Sequence, residues 1–109
     1  IDLAASAGTS VKTCASGTVT RIEKDDRYGM IVEISHGNDL LSLYGNLAED
    51  GLVELGEVVS RGDVIGKVGK TSSFEASGAE HLHFSMKLTG RSRKIYQGAV
   101  KRKQRIYIK

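Results

Sequence analysis

Tyr28-Gly29-Met30-Ile31-Val32-Glu33-Ile34-Ser35 is the stretch that decides the fold, and it continues through His36-Gly37-Asn38-Asp39 into Leu40–Leu47. Within it Met30, Val32 and Ile34 alternate with Ile31 and Glu33. A repeat of two is typical of a strand that buries one face. Glycine and asparagine between two such runs indicate a turn, so residues 28–47 predict two neighbouring strands.

The rest of the chain repeats this pattern of short strands between glycines. Further strands are predicted at Val11–Ala15, Thr18–Glu23, Val58-Val59, Val64-Ile65 and His81–Leu88, and Ser16-Gly17 predicts a hairpin between the first two. A brief helical turn is expected only at Asn46–Asp50. The sequence therefore predicts an all-β domain, a compact antiparallel sheet closed as a barrel or sandwich.

Length and composition set limits on the molecule. The 109 residues, with 13 glycines and no proline, suit one small domain rich in turns. No apolar run approaches the roughly 18 residues of a membrane span. Because the sequence opens on Ile1-Asp2 inside an apparent strand and shows no signal peptide, we expect it to be part of a larger protein. Cys14 is the single cysteine, so no internal disulfide framework can form.

Charge divides the chain into two parts. Residues 1–90 carry eight Lys/Arg against thirteen Asp/Glu, whereas residues 91–109 carry eight Lys/Arg and no acid. We predict a β-domain at 1–90 and a basic C-terminal extension at 91–109. Such an extension can bind nucleic acid, anionic lipid or an acidic wall polymer, or simply be solvated. No nucleic-acid partner is expected, because the stacking aromatics and motifs of nucleic-acid modules are absent.

His81-Leu82-His83-Phe84 carries the chemistry. Residues two apart in a strand point to the same side, so both imidazoles face one way. One can bind a metal while the other acts on whatever the metal activates. Asp2 can add a carboxylate. Two surface or core histidines would give the same spacing, and His36 is interpreted as a turn or packing residue.

A series of motifs surrounds these residues in a fixed order. They are Ile1-Asp2-Leu3, Gly17-Thr18-Val19, Gly29-Met30-Ile31-Val32-Glu33-Ile34-Ser35-His36-Gly37, Leu43-Tyr44-Gly45-Asn46-Leu47, the glycine series from Gly56 to Thr71, and His81-Leu82-His83-Phe84. In this order they resemble the LytM/lysostaphin-type zinc endopeptidase domain over about residues 1–90. The resemblance implies the compact antiparallel fold of that family, the duplicated hybrid motif type, with the site in a groove on the sheet.

The resemblance also assigns roles to single residues. It implies that Asp2 and His83 bind zinc together with a histidine upstream of Ile1, and that His81 is the catalytic histidine. The implied reaction is hydrolysis of a peptide bond in peptidoglycan, with zinc polarising the carbonyl and His81 steering the proton. The implied location is outside the cytoplasmic membrane of a bacterium, by secretion or by a membrane tether elsewhere in the full-length protein.

Two features depart from the family pattern. Asn46 stands where the family has the histidine of Tyr-x-His-Leu, so it marks a degenerate catalytic position. The loop Thr71–Gly78 also differs and, with Asn46, is similar to the stage II sporulation protein Q branch. Two hypotheses follow. The first is a zinc endopeptidase that cuts peptidoglycan cross-links, with reduced activity; the second is an inert LytM-fold domain that binds a partner protein or a cell-wall peptide.

Overall fold

A computed structural model describes residues 1–72 and 81–89, so the predicted extension at 91–109 and most of the loop 71–78 lie outside the described residues. Every regular element in these ranges is a strand. The strands are β1 (Asp2–Ala4), β2 (Ser10–Lys12), β3 (Gly17–Asp25), β4 (Gly29–Ser35), β5 (Leu40–Leu47), β6 (Val58–Val59), β7 (Val64–Lys67) and β8 (His81–Leu88). The all-β prediction is confirmed. Across 1–72 and 81–89 we find no helix with the length and apolarity needed to cross a membrane.

The strands form two antiparallel sheets. Six of them lie in the order β1-β8-β5-β4-β3-β6, and β2 pairs with β7 in a second, two-stranded sheet. A single bridge between Leu47 and Val68 connects β5 to the chain just after β7. The order places β8 between β1 and β5, so the strand that carries both site histidines has hydrogen-bonded neighbours on its two sides.

The core lies between the sheets and takes residues from both. Ile31, which the alternation places on the same side as Glu33, is as fully buried as Val32 and Ile34 because β4 is a central strand. Burial of apolar side chains of this size stabilises a fold by about 1.5–3 kcal/mol each. The core cluster consists of Val11, Val19, Val32, Ile34, Tyr44, Leu47, Val59, Ile65, Val68 and Phe84.

The predicted hairpin at Ser16-Gly17 is wrong. β2 ends at Lys12 and pairs with β7, whereas β3 pairs with β4 and β6. Beyond β2 the chain bonds to the turn that precedes β7: the Thr13 N–H donates to the Asp63 carbonyl at 2.9 Å, and the Thr13 carbonyl accepts from Gly62 at 3.0 Å. These bonds direct residues 13–16 away from a hairpin.

The helical turn predicted at Asn46–Asp50 is also wrong. Asn46 has φ of +62°, in the left-handed region, which a right-handed helix does not accept. The Ala48 N–H then donates to the Lys67 carbonyl at 2.9 Å and so ties this segment to β7. Long-range pairing overrides the weak local preference for a turn of helix.

Candidate metal and catalytic site

The antiparallel pair of β1 and β8 brings together the three predicted site residues. Asp2 is the partner of His83 in this pair, and Ala4 is the partner of His81. Partners in an antiparallel pair project to the same side of the sheet, so the carboxylate and both imidazoles share one face. The Phe84 N–H donates to the Ile1 carbonyl at 2.8 Å and fixes this register at the start of β1.

The Asp2 carboxylate lies between the two histidines. His83 Nδ1 is 3.0 Å from Asp2 Oδ1, and His81 Nε2 is 3.9 Å from the same oxygen. Because an ionised carboxylate can only accept, the His83 Nδ1–H donates. This bond is the largest influence on the carboxyl group and holds the pKa of Asp2 below its usual value, with a smaller, opposing effect of burial.

Exposure differs among the three side chains. The His81 and His83 side chains are 14% and 16% exposed, whereas that of Asp2 is 60% exposed. The imidazoles are therefore held against the sheet while the carboxylate is open to solvent. An arrangement of this kind leaves room beside Asp2 for a further ligand or a substrate.

Tyr28 covers one face of His83, a contact that the sequence did not indicate. The two rings stack with centroids 4.1 Å apart and planes 11° apart. A Cβ atom on Gly45, the partner of His83 on β5, would lie 3.2 Å from Tyr28 Cβ and 3.4 Å from His83 Cβ. The glycine therefore lets the two side chains meet, and the stacking limits rotation of the imidazole.

The turn between β3 and β4 positions Tyr28. Asp25 Oδ1 accepts the N–H groups of Arg27 and Tyr28 at 2.8 and 2.9 Å. These two bonds, that of Tyr28 first, lower the pKa of Asp25 below its usual value. An aspartate that bonds its own backbone two and three residues on is a known turn signal, so Asp25 could have been identified from the sequence.

Asn46 lies beneath the site and is 2% exposed. Its Nδ2 donates to the His81 carbonyl at 2.7 Å, and its Oδ1 accepts from Thr71 and Ser72, each at 2.9 Å. All three partners are backbone groups. The structure thus places Asn46 next to the main chain of His81, and its assignment as a degenerate catalytic position stays a prediction.

Asp2 and His83 are suitable ligands for zinc. Carboxylate oxygen and imidazole nitrogen are among the donors that zinc takes in proteins, and a catalytic site uses three protein ligands. Among the residues that the structure describes, no group of three His, Cys, Asp or Glu side chains could hold a metal ion. Asp2 and His83 alone do not complete a set of three ligands, and their role as zinc ligands stays a prediction.

A second polar cluster surrounds His36 on the core side of β5. The His36 ring nitrogens lie 2.7 Å from the Ser16 carbonyl and 2.7 Å from Ser42 Oγ. Ser42 donates to the Tyr44 hydroxyl, which donates to Cys14 Sγ at 3.3 Å. Burial raises the pKa of the Cys14 thiol, but the effects of His36 and of the Tyr44 hydroxyl outweigh it and leave that pKa below its usual value.

Comparison with known proteins decides the family. A model described as peptidase family M23 matches residues 1–95. The chain belongs to this family. Stage II sporulation protein Q of Bacillus subtilis is 41% identical over 92 residues, which are 83% of this chain and 32% of that protein. The DD-carboxypeptidase/endopeptidase Mpg of Neisseria meningitidis is 37% identical over 90 residues, 83% of this chain and 20% of that protein. The chain thus spans a third or less of the length of these relatives.

Solved structures agree with the M23 fold. The catalytic domain of lysostaphin from Staphylococcus simulans gives a TM-score of 0.73 at 25% identity, over 85% of this chain and 68% of that one. A zinc-containing peptidase from Vibrio cholerae gives a TM-score of 0.71 at 29% identity, over 80% of this chain and 26% of that one. A chain of the SpoIIQ–SpoIIIAH pore-forming complex gives a TM-score of 0.67 at 40% identity, over 81% of this chain and 56% of that one. The predicted LytM-type fold and the similarity to the sporulation branch are both confirmed.

Proposed function

We propose that this M23 domain is a zinc metalloendopeptidase that hydrolyses peptide bonds of peptidoglycan cross-links. The observation that carries the proposal is the position of the Asp2 carboxylate, 3.0 Å from His83 and 3.9 Å from His81 on one face of the sheet. Two of these side chains are of types that bind zinc, and the third is of a type that can move a proton.

In this proposal Asp2 and His83 are zinc ligands, and the third protein ligand lies upstream of Ile1. Zinc bound there would polarise the scissile carbonyl and lower the pKa of a bound water. The stacked ring of Tyr28 holds the His83 imidazole in its plane, which keeps a nitrogen directed to the side where Asp2 lies. The resemblance to a zinc-containing peptidase supports this choice of metal.

His81 moves the proton in this reaction. Its Nε2 accepts the proton of the attacking water and later donates it to the leaving amine, a role that suits the near-neutral ordinary pKa of an imidazole. The His81 side chain is only 14% exposed, so its neighbours limit its rotation.

The substrate and the location are proposed from the relatives. Mpg is described as a carboxypeptidase and endopeptidase, and a further relative from Escherichia coli, 33% identical over 90 residues, is described as a murein hydrolase activator. The first description names cleavage of peptide bonds, and the second names hydrolysis of murein, the cell-wall polymer. We therefore place the site outside the cytoplasmic membrane of a bacterium, in a protein that is secreted or tethered to the membrane.

The test uses the zinc-loaded full-length protein and purified peptidoglycan, with new amino groups counted as they are released. We expect release by the native protein and a loss of about 10²- to 10⁴-fold in His81→Ala, since a proton-transfer residue contributes about that much. Ser85→Ala is the matched control, because Ser85 lies two residues beyond His83 on the same face of β8. Native-level release by His81→Ala would contradict the mechanism.

The second candidate is an inert M23-fold domain that binds a partner protein or a cell-wall peptide. It is favoured by Asn46, whose amide bonds only backbone groups at the position where the resemblance implies a catalytic histidine. The similarity to a sporulation protein found in a complex with a second protein supports it too. This candidate predicts no release of amino groups by the native full-length protein, together with partner binding that His81→Ala leaves unchanged.

A further inference from the structure

Asn46 connects three segments of the chain that border the site. Its backbone N–H donates to the Tyr28 carbonyl at 2.7 Å, and its own carbonyl accepts from Gly69 at 2.8 Å. Its side chain joins the His81 carbonyl to the Thr71 and Ser72 amides. Asn46 is thus bonded both to Tyr28, which stacks on His83, and to His81, which is proposed to move the proton.

The side-chain amide suits these partners chemically. It offers two N–H donors on one nitrogen and an oxygen with two lone pairs, so one group can donate to a carbonyl and also accept two N–H groups. At 2% exposure, water cannot easily replace a lost partner, and a buried unsatisfied group is costly. A neutral imidazole has one donor and one acceptor with a single lone pair, and therefore cannot satisfy all three backbone groups.

We propose that Asn46 is a positioning residue, which holds the main chain of His81 and the segment 71–72 in place and takes no part in proton transfer. The catalytic part of this inference rests on the proposed peptidase function; the structural part does not. The histidine that the family resemblance implies at this position would then impair this domain, because the surrounding backbone groups are arranged for an amide.

Burial argues against direct contact between Asn46 and a substrate. The side chain has its donor on His81 and its acceptor on two consecutive amides, all within 2.9 Å. Because Asn46 is only 2% exposed, a bound peptide on the surface of the sheet cannot reach this amide. Asn46 acts through the residues that it holds.

Three substitutions of Asn46 test the donor and the acceptor of its side-chain amide separately. Asn46→Asp keeps an acceptor for Thr71 and Ser72 but removes the donor to the His81 carbonyl. Asn46→Ala removes both, and Asn46→His tests the family residue. Thr13→Val is the matched control, because Thr13 is also 2% exposed and its hydroxyl donates to a backbone carbonyl, that of Ala15, at 2.7 Å.

The first readout is amide hydrogen exchange and NMR of the folded protein without substrate. In Asn46→Ala we expect the Thr71 and Ser72 amides to exchange about tenfold faster or more, since each loses its acceptor. In Asn46→Asp these amides stay protected while the ring signals of His81 shift. Thr13→Val leaves the exchange of these two amides and the His81 ring signals unchanged. Native exchange at Thr71 and Ser72 in Asn46→Ala would overturn the proposal, whatever the activity of the domain.

The second readout is hydrolysis by the zinc-loaded full-length protein. We expect kcat to fall about 10- to 100-fold in Asn46→Asp and Asn46→His with KM nearly unchanged, because a small displacement of a catalytic group costs about that much. Thr13→Val keeps the native kcat. A native or higher kcat in Asn46→His would overturn the positioning role. If the native protein hydrolyses nothing but the exchange results hold, the peptidase proposal fails and the structural role of Asn46 is supported.

Discussion

His83 Nδ1 lies 3.0 Å from Asp2 Oδ1, although 81 positions of sequence separate the two residues. The contact follows from the pairing of β1 with β8, in which the two residues are direct partners. It lowers the pKa of Asp2 and sets one nitrogen of His83 toward the carboxylate. The proposed zinc ligands are therefore brought together by the sheet itself, and the surrounding residues act on that pair.

The stacking of Tyr28 on His83 predicts a measurable coupling. In a double-mutant cycle with Tyr28→Ala and His83→Ala, we expect a coupling free energy of about 1 kcal/mol in unfolding by urea. Tyr28→Phe keeps the ring and serves as the control, so its cycle with His83→Ala returns a coupling free energy near zero. Additive effects of Tyr28→Ala and His83→Ala would show that the stacking contributes nothing.

Asp25 predicts a pH dependence of stability. Its pKa is lowered in the folded state by the bonds from Tyr28 and Arg27, so its contribution is present above the ordinary carboxyl pKa and is lost as the pH falls through the lowered value. Asp25→Asn has no such titration. The free energy of unfolding is measured in urea from pH 7 to pH 2 for both proteins. We expect the native protein to be more stable than Asp25→Asn at neutral pH, and this difference to shrink below about pH 4. A difference that stays constant over this range would contradict the assignment.

The packing around Gly69, next to Asn46, leaves no room for a side chain at this position. A Cβ atom there would lie 2.5 Å from the backbone nitrogen of Ala48, which cannot move away as a side chain can. We expect Gly69→Ala to lower the free energy of unfolding by about 1–3 kcal/mol. Gly66→Ala is the control: its nearest contact is the end of the Leu52 side chain at 3.0 Å, so its cost should be smaller. Equal urea midpoints for the two variants would contradict this.

Cys14 is predicted to react as a thiolate more readily than an ordinary cysteine. Its pKa is lowered despite burial, because the nearby His36 imidazole and the hydrogen bond from the Tyr44 hydroxyl favour the thiolate. His36→Gln removes the cationic partner, so we expect iodoacetamide to alkylate Cys14 more slowly at pH 7 in that variant. Rates measured from pH 5 to pH 10 give the midpoint for each protein. A native midpoint at or above that of a free cysteine would contradict the prediction.

The parts of the site that follow from local pattern could be predicted from the sequence. His81 and His83 alternate with apolar residues, which is enough to place both on one side of a strand, and β8 confirms it. The link to Asp2 came from family resemblance, because no local pattern specifies which distant strand pairs with β8. The hairpin at Ser16-Gly17 failed for the same reason: β2 finds its partner in β7.

Tyr28 and the contacts of Asn46 were not predicted. Gly45, on the strand between Tyr28 and His83, carries no side chain and so leaves room for Tyr28 to contact His83. Asn46 adopts a left-handed conformation, and its side chain bonds to residues that are 25 to 35 positions away in sequence. Contacts of this kind depend on strand register, which the sequence pattern of one segment does not contain.

Zinc content tests the central claim, that Asp2 and His83 are two ligands of one metal ion. The full-length protein is purified, dialysed against zinc-free buffer, and its metal measured by mass spectrometry. We predict about one zinc per chain in the native protein and in the control Asp39→Asn, whose carboxylate is exposed on the turn before β5, and loss of zinc in Asp2→Asn and His83→Ala. A native protein without zinc, or native zinc content in Asp2→Asn, would contradict the account.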